Sequence, residues 1–165
     1  MPCASHWHIN IFMQIKIYGK SPKINKQEIK HAARFFGLRL LRKDTYNQIY
    51  LEIELTKPDD GYDGFCEWST TNYRPKDFLI ILNNKKSKDS IIKILAHEMA
   101  HLKQFTTNQL FQYHYNDDKI RWKKDIFSLE NVKYNDRPWE KDANELEETL
   151  FNEYMEYEAT KKTRH

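Results

Sequence analysis

Two histidines and a glutamate near the middle of the chain have the spacing of a metal site. The segment His97-Glu98-Met99-Ala100-His101 has the pattern HExxH. In a helix, residues four apart lie on the same face, so both imidazoles can bind one ion while Glu98 stands beside it. The pattern predicts a metal centre in which Glu98 is a general base rather than a ligand.

A third ligand has to come from outside this segment. A catalytic zinc site typically has three protein ligands and leaves the fourth position for water. The longer HExxHxxGxxH pattern is absent, because Gln104 and Thr107 stand at its glycine and histidine positions. Cys3 and Cys66 are the only cysteines, so we expect the missing ligand to be a histidine or a carboxylate.

Two residues further along the chain are candidates for this third ligand. His114 follows His101, but no glycine-rich turn or helical register near it would aim its imidazole. Glu140 is the stronger candidate because it opens a predicted helix, where Ala143 is small enough for close approach and Asn144 lies one turn on. We expect Glu140 to complete the site, with His114 as the alternative.

The expected chemistry is hydrolysis at a carbonyl carbon. A metal ion activates water, and Glu98 can take the proton from that water and pass it to the leaving amine. The oxyanion that forms needs a second electrophile besides the metal. The sequence leaves four candidates for this role open: Tyr113, His114, Tyr134 and Arg137.

Two segments carry a family resemblance. HEMAHLKQ and the later RPWEKDANEL resemble the gluzincin class of zinc metallopeptidases, particularly small, often phage-encoded members with HExxHxxQ and a PWExxA-type helix. More distantly, the chain resembles minimal gluzincins and SprT-like proteases. The resemblance covers residues 77–150 and implies that Asn144 orients one histidine. It implies Zn²⁺ ligands at His97, His101 and Glu140, and a general base at Glu98.

The resemblance also concerns the strand that precedes the HExxH helix. In zincin folds an edge strand at this place commonly lines the cleft and pairs with extended substrate. The apolar run Phe78–Leu82 occupies that place. The same run suits a buried strand equally well, so both interpretations stay open.

Size and composition fit one globular domain over residues 1–165. With 39% hydrophobic and 31% charged residues, the chain can bury a core, which excludes intrinsic disorder and a membrane-spanning protein. The start MPCASHWHIN lacks the features of a signal peptide, so we expect a cytoplasmic protein without membrane contact. The net charge is +3, and the basic residues are scattered rather than clustered in the stripe that favours nucleic-acid binding.

Local patterns in the first half of the chain predict mixed α and β structure. Alternating apolar residues indicate strands, and Asn25 with Glu28 is typical of a capping box for a helix that Gly37 would end. The predicted strands are 7–17, 38–41, 49–55, 65–68 and 77–82, of which the last two would form a hairpin.

Patterns in the second half predict the helices that carry the site. Ser87 is a suitable N-cap for the HExxH helix, and Pro138 suits the first turn of a final helix whose apolar residues recur every three or four positions. Between these helices the patterns are weak and predict short helices near 108–114 and 118–127.

Together these elements predict an α+β fold, which the resemblance narrows to a zincin-like domain. Its mixed, mostly antiparallel sheet would pack against the HExxH helix and a C-terminal helix that carries the third ligand. The expected function is that of a zinc-dependent metallopeptidase acting on a protein or peptide.

Two alternatives stay open. One is a metal-containing binding module, for example a viral protein that modulates a host factor. The other is an SprT-like protease acting on DNA-bound proteins. The intact Glu98 favours the enzyme over the binding module, because a structural metal site has no use for a general base. The chain lacks the late histidine motif and the Cys-rich finger of the SprT-like class.

Overall fold

The fold is given by a computed structural model, which describes residues 12–58, 61–68, 73–113, 116 and 118–163. The strands are β1 (Gln14–Gly19), β2 (Tyr50–Thr56), β3 (Gly64–Trp68), β4 (Asp77–Asn83), β5 (Leu110–Gln112), β6 (Lys119–Trp122) and β7 (Asp125–Ser128). The helices are α1 (Lys26–Leu40), α2 (Lys43–Gln48), α3 (Lys88–Thr106) and α4 (Pro138–Lys162), and a 3₁₀ turn spans Tyr134–Asp136.

A four-stranded sheet in the order β1-β2-β4-β3 forms the base of the fold. Strands β1, β2 and β4 run parallel, and β3 pairs antiparallel with β4 at the edge. The sheet is mixed, as predicted, but the expectation that it is mostly antiparallel is wrong for these four strands. The reason is that α1 and α2 connect β1 to β2, since parallel neighbours need a long crossover connection.

The core lies between this sheet and the helices. Alternate residues of β2 and β4 are buried, as expected for strands with one covered face. Helix α3 packs against α1, β3 and β4, and α4 packs against α3 and α1. The two site helices, α3 and α4, are therefore packed directly against each other. No helix among the described residues is both long and apolar enough to cross a bilayer.

Helix α1 begins as predicted but ends later. The capping box of Asn25 and Glu28 is present, whereas Gly37 lies inside the helix and does not end it. A Cβ atom at Gly37 would lie 2.9 Å from a ring carbon of Tyr46, so glycine is needed there for packing. The predicted strand 38–41 is wrong, because most of it is the last turn of α1, which α2 follows.

The segment between the site helices is β structure rather than the two predicted short helices. Strands β5, β6 and β7 form an antiparallel sheet of their own. In β6, Ile120 and Trp122 are buried while their neighbours point outward, which is a strand period. Lys123 takes a positive φ of 54° in the tight turn to β7.

The remaining predicted elements are confirmed. Strands β2, β3 and β4 are present, and β3 and β4 form the predicted antiparallel pair. The Ser87 side chain accepts a hydrogen bond from the backbone N–H of Ser90 at the start of α3, and Pro138 lies in the first turn of α4. Strand β1 matches the end of the predicted strand 7–17, whose first residues lie outside the described part of the chain.

Candidate metal centre

Helix α3 brings His97 and His101 together at its buried end. The two residues are one turn apart, and their Nε2 atoms are 3.1 Å from each other. The helix can carry them inward because Leu95, Ala96 and Met99 around them are fully buried in the core. Local helix geometry is therefore enough to converge two nitrogen donors on one point.

Helix α4 delivers Glu140 to the same point, as predicted. Its Oε2 atom lies 3.4 Å from Nε2 of His97 and 3.3 Å from Nε2 of His101. The close approach of the two helices is possible because Ala143, one turn on, is small and completely buried. The alternative third ligand, His114, lies outside the described residues.

These three side chains could hold a metal ion. Donors bound at 2.0–2.1 Å around a tetrahedral zinc ion lie about 3.3 Å from one another. The three separations in this site, 3.1, 3.4 and 3.3 Å, match that value. The donor set of two imidazoles and one carboxylate also matches the usual protein ligands of zinc, which leave one position open.

The second ring nitrogen of each histidine is held by a different residue. Nδ1 of His97 is 3.0 Å from Oε2 of Glu147, and Nδ1 of His101 is 2.9 Å from Oε1 of Gln104. Such contacts fix the tautomer and the ring orientation of a metal-binding histidine. Both Nε2 atoms are therefore directed at Glu140.

The expected role of Asn144 is wrong. Its side chain is exposed on α4, and the α4 residue that orients a histidine is Glu147, which contacts Nδ1 of His97. Glu147 lies two helical turns after Glu140, on the stripe that also holds Ala143 and Leu150. A second carboxylate on the same helix face as Glu140 was the signal in the sequence that could have identified it.

Gln104 fastens the two ligand helices to each other. It is fully buried, and while Oε1 faces His101, its Nε2 donates to the backbone carbonyl of Trp139 at 2.9 Å and to Oδ2 of Asp142 at 2.8 Å. A buried amide group without a hydrogen-bond partner costs about 1–3 kcal/mol of folding free energy, so these contacts favour the observed arrangement of the two helices. The residue therefore places the first turn of α4, which carries Glu140.

Glu147 is itself held from the other side. Lys93, one turn before His97 on α3, places its Nζ 3.8 Å from Oε1 of Glu147 and also forms an ion pair with Glu148. Because Glu147 is only partly exposed, the lysine steadies a carboxylate that is already directed at the histidine.

The site is strongly anionic and favours positive charge at its centre. Burial would lower the pKa of His97, but the carboxylates of Glu140 and Glu147 outweigh it and raise that pKa to about 10. The pKa of His101 is also raised, mainly because Glu140 opposes the effect of burial. Although burial acts against it, the two histidines hold the pKa of Glu140 well below its usual range. The same carboxylates would attract a cation bound between His97, His101 and Glu140.

Glu98 lies beside the three candidate ligands and is almost completely buried. It is 6% exposed, and burial raises the pKa of its carboxyl, while the two histidines partly oppose the shift. The start of β3 passes directly over it, since a Cβ atom at Gly64 would lie 2.8 Å from its Oε1. Glycine at this position leaves room for the carboxylate.

A cleft of about 680 Å³ opens onto the site. Its walls come from β3, from α3, from β5 and β6, and from the segment that leads into α4. Strand β3 is an edge of the four-stranded sheet, whereas β4 lies between β2 and β3. The edge-strand interpretation of Phe78–Leu82 is therefore wrong, and that run is a core strand. The edge that faces the cleft is β3.

The four oxyanion candidates have different positions. The hydroxyl of Tyr134 donates to Oε2 of Glu140 at 2.8 Å, and burial together with Glu140 raises its pKa, so it stays protonated. Arg137 also lines the cleft. Tyr113 is not among the described residues that line it, and His114 lies outside the described part of the chain.

The chain matches no protein-family model, no curated protein and no solved structure. The features that bear on function are therefore the three converging donors and the buried carboxylate beside them.

Proposed function

We propose that the chain is a zinc-dependent metallopeptidase of the gluzincin type. His97, His101 and Glu140 are the proposed zinc ligands, and Glu98 is the proposed general base. The observation that carries the proposal is the combination of three donors at tetrahedral spacing with a fourth, buried acidic group that is not one of them.

Zinc would supply the electrophilic part of the reaction. When bound, it lowers the pKa of a coordinated water to about 7 and polarises a carbonyl oxygen. The chain's own residues do the rest. Glu147 and Gln104 keep the imidazole rings of His97 and His101 in place, so the ligands need no rearrangement on binding.

Glu98 moves the proton. A carboxylate whose pKa is raised by burial is a better base near neutral pH than an exposed one. It takes a proton from the attacking water, whose oxygen bonds to the carbonyl carbon of the peptide. The C–N bond then breaks, and Glu98 returns the proton to the leaving nitrogen. The proposed donor to the carbonyl oxygen is the neutral Tyr134, whose single hydroxyl proton, donated to Glu140 in this structure, would turn to the substrate.

Strand β3 is the proposed binding edge for the peptide backbone. An edge strand presents unpaired N–H and C=O groups, and an extended peptide can add to it. Gly64, at the start of β3, lies next to the Glu98 carboxylate. A peptide paired with β3 would therefore run past Glu98, the proposed general base. Main-chain pairing of this kind demands few particular side chains of the substrate.

Metal analysis combined with turnover of a broad peptide library tests the proposal. We expect about one zinc ion per chain, cleavage of library peptides, loss of cleavage with a chelator and recovery when zinc is returned. Zinc without any turnover would favour the binding module instead. A preference for iron over zinc would contradict the assignment, since two histidines and one carboxylate also bind iron. Cleavage that requires DNA would favour the SprT-like alternative.

A further inference from the structure

Arg137 stands in the wall of the cleft next to the metal centre. It is the residue immediately before α4, and it lines the same cleft as His97, Glu98 and Glu140. Its guanidinium carbon lies 5.4 Å from the ring centre of Tyr134 and 5.9 Å from that of Trp139. The two aromatic rings hold the cation beside the site.

The guanidinium has donors that the described residues do not use. Its Nε atom is buried, whereas its terminal nitrogens, Nη1 and Nη2, are not, and no side chain of the described residues forms a hydrogen bond or an ion pair with them. A guanidinium carries five N–H donors, and buried donors in folded proteins nearly always have a partner. The two terminal nitrogens, at the wall of the cleft, are therefore the donors that a bound molecule can use.

The charges of the cleft single out this residue. Glu67, Glu98 and Glu140 give the lining negative charge, and the two histidines converge on the metal position. Among the described lining residues, Arg137 is the only lysine or arginine, and so the only side chain with a permanent positive charge. Its planar fork matches a carboxylate, which can accept two parallel hydrogen bonds from it.

Tyr134 connects this cation with the proposed reaction centre. Its ring lies beside Arg137, while its hydroxyl donates to Glu140. A group bound by Arg137 is therefore only one tyrosine ring away from a proposed metal ligand. A substrate carboxylate bound by Arg137 would therefore lie close to the bond being cut.

We propose that Arg137 is a subsite for a carboxylate of the substrate. The inference rests on the proposed peptidase function and narrows its substrate class to peptides with a carboxylate close to the cut bond. That carboxylate is either the free C-terminus of the peptide or the side chain of Asp or Glu. Arg137 is in this view a specificity residue, and Glu98 and the zinc ligands do the chemistry.

Binding of matched peptides to the zinc-loaded protein tests the proposal. The probes are fluorescently labelled peptides of one length in four forms, with a free or an amidated C-terminus and with Glu or Gln inside. Binding is measured by anisotropy in the Glu98→Gln background, so that peptides stay intact, and cleavage is measured with the wild-type chain. The variants are Arg137→Gln, Arg137→Lys and, as the matched loss of an exposed charge, Arg39→Gln, which removes an ion pair with Glu153, where neither residue is among those that line the cleft.

We expect a carboxylate to improve binding about tenfold or more, as for a charge-assisted hydrogen bond. Arg137→Gln should remove this preference, Arg137→Lys should keep part of it, and Arg39→Gln should keep all of it. A preference for the free acid over the amide identifies the C-terminus as the source, and a preference for Glu over Gln identifies the side chain. Zinc content and thermal unfolding confirm that Arg137→Gln is folded and loaded.

Two results would overturn the subsite. One is equal binding of all four peptides to the protein with Arg137 intact, and the other is a preference that survives in Arg137→Gln. The proposed function fails separately. An Arg137-dependent preference without any cleavage by the wild-type chain would leave the subsite standing and refute the peptidase, while cleavage without preference would do the reverse.

Discussion

The two halves of α4 use one continuous stripe of residues for different purposes. In the first half the stripe carries Glu140 and Glu147, which face the histidines of α3. In the second half it carries Leu150 and Tyr154, each 3% exposed. Tyr154 packs edge-on against Phe35 of α1, with ring centres 5.3 Å apart. The stripe is therefore polar where it faces the site and largely apolar beyond it, while ion pairs between α1 and α4 flank its second half.

The difference shows how stability and function are divided along the helix. Buried carboxylates are unfavourable for folding unless they are paired and hydrogen-bonded. Apolar burial contributes about 25 cal/mol for each Å² removed from water. The second half therefore anchors α4, and this anchorage lets the first half hold charged groups in place for a cation. If this division is correct, metal affinity and folding stability respond to different substitutions.

Replacing Glu140 should have the largest effect on metal binding. Glu140→Ala removes a donor of the proposed ligand set, so we expect zinc affinity to fall more than 100-fold, beyond the effect of losing a residue that only orients a ligand. Zinc at 100 times its dissociation constant stabilises a folded protein by about 2.7 kcal/mol, and this gain in thermal stability should vanish. Glu145→Ala, an exposed carboxylate loss on the same helix, is the control. Full zinc affinity in Glu140→Ala would refute the ligand set.

Replacing Leu150 should give the opposite result. Leu150→Ala leaves a cavity in the core, which typically lowers the free energy of unfolding by about 2–5 kcal/mol, while zinc affinity stays the same. Denaturant unfolding and zinc titration measure the two quantities. Met155→Ala, at a position that is 38% exposed, should change the free energy of unfolding by less than about 0.5 kcal/mol. A large loss of zinc affinity in folded Leu150→Ala would break the division between the two halves.

The residue that orients His97 should have an intermediate effect on metal binding. Glu147→Ala leaves all three proposed ligands but frees the His97 ring, and loss of such a partner typically costs about 10- to 100-fold in affinity. Asn144→Ala, three residues away on an exposed position, should bind zinc as the wild-type chain does. Competition with a coloured chelator measures both. If Asn144→Ala were the weaker binder, the resemblance would describe the site better than the geometry does.

The parts of the site that the sequence predicted depend on local geometry. His97 and His101 converge because any helix places residues four apart on one face. Glu140 was predicted because Pro138 marks the start of its helix and Ala143 permits close packing. Ser87 marked the start of α3 in the same way. In each case a few neighbouring residues contain the information.

The incorrect predictions concern contacts between distant segments. Gly37 was predicted to end its helix, but the helix continues past it, and Tyr46 packs against this glycine. The parallel pairing of β2 with β4 depends on the whole path of the chain. Nothing near Gln104 in the sequence shows that it reaches Trp139 and Asp142. Packing between segments that are far apart in the sequence determines such contacts.

The most direct test of the proposed function is the pair of measurements on Glu98→Gln. The change keeps the size of the side chain and every proposed ligand but removes the base, so zinc content should match the wild-type chain. Peptide turnover should fall about 100- to 10,000-fold, the usual contribution of a general base, while Glu145→Gln stays active. Wild-type turnover by zinc-loaded Glu98→Gln would contradict the mechanism in which this buried carboxylate moves the proton.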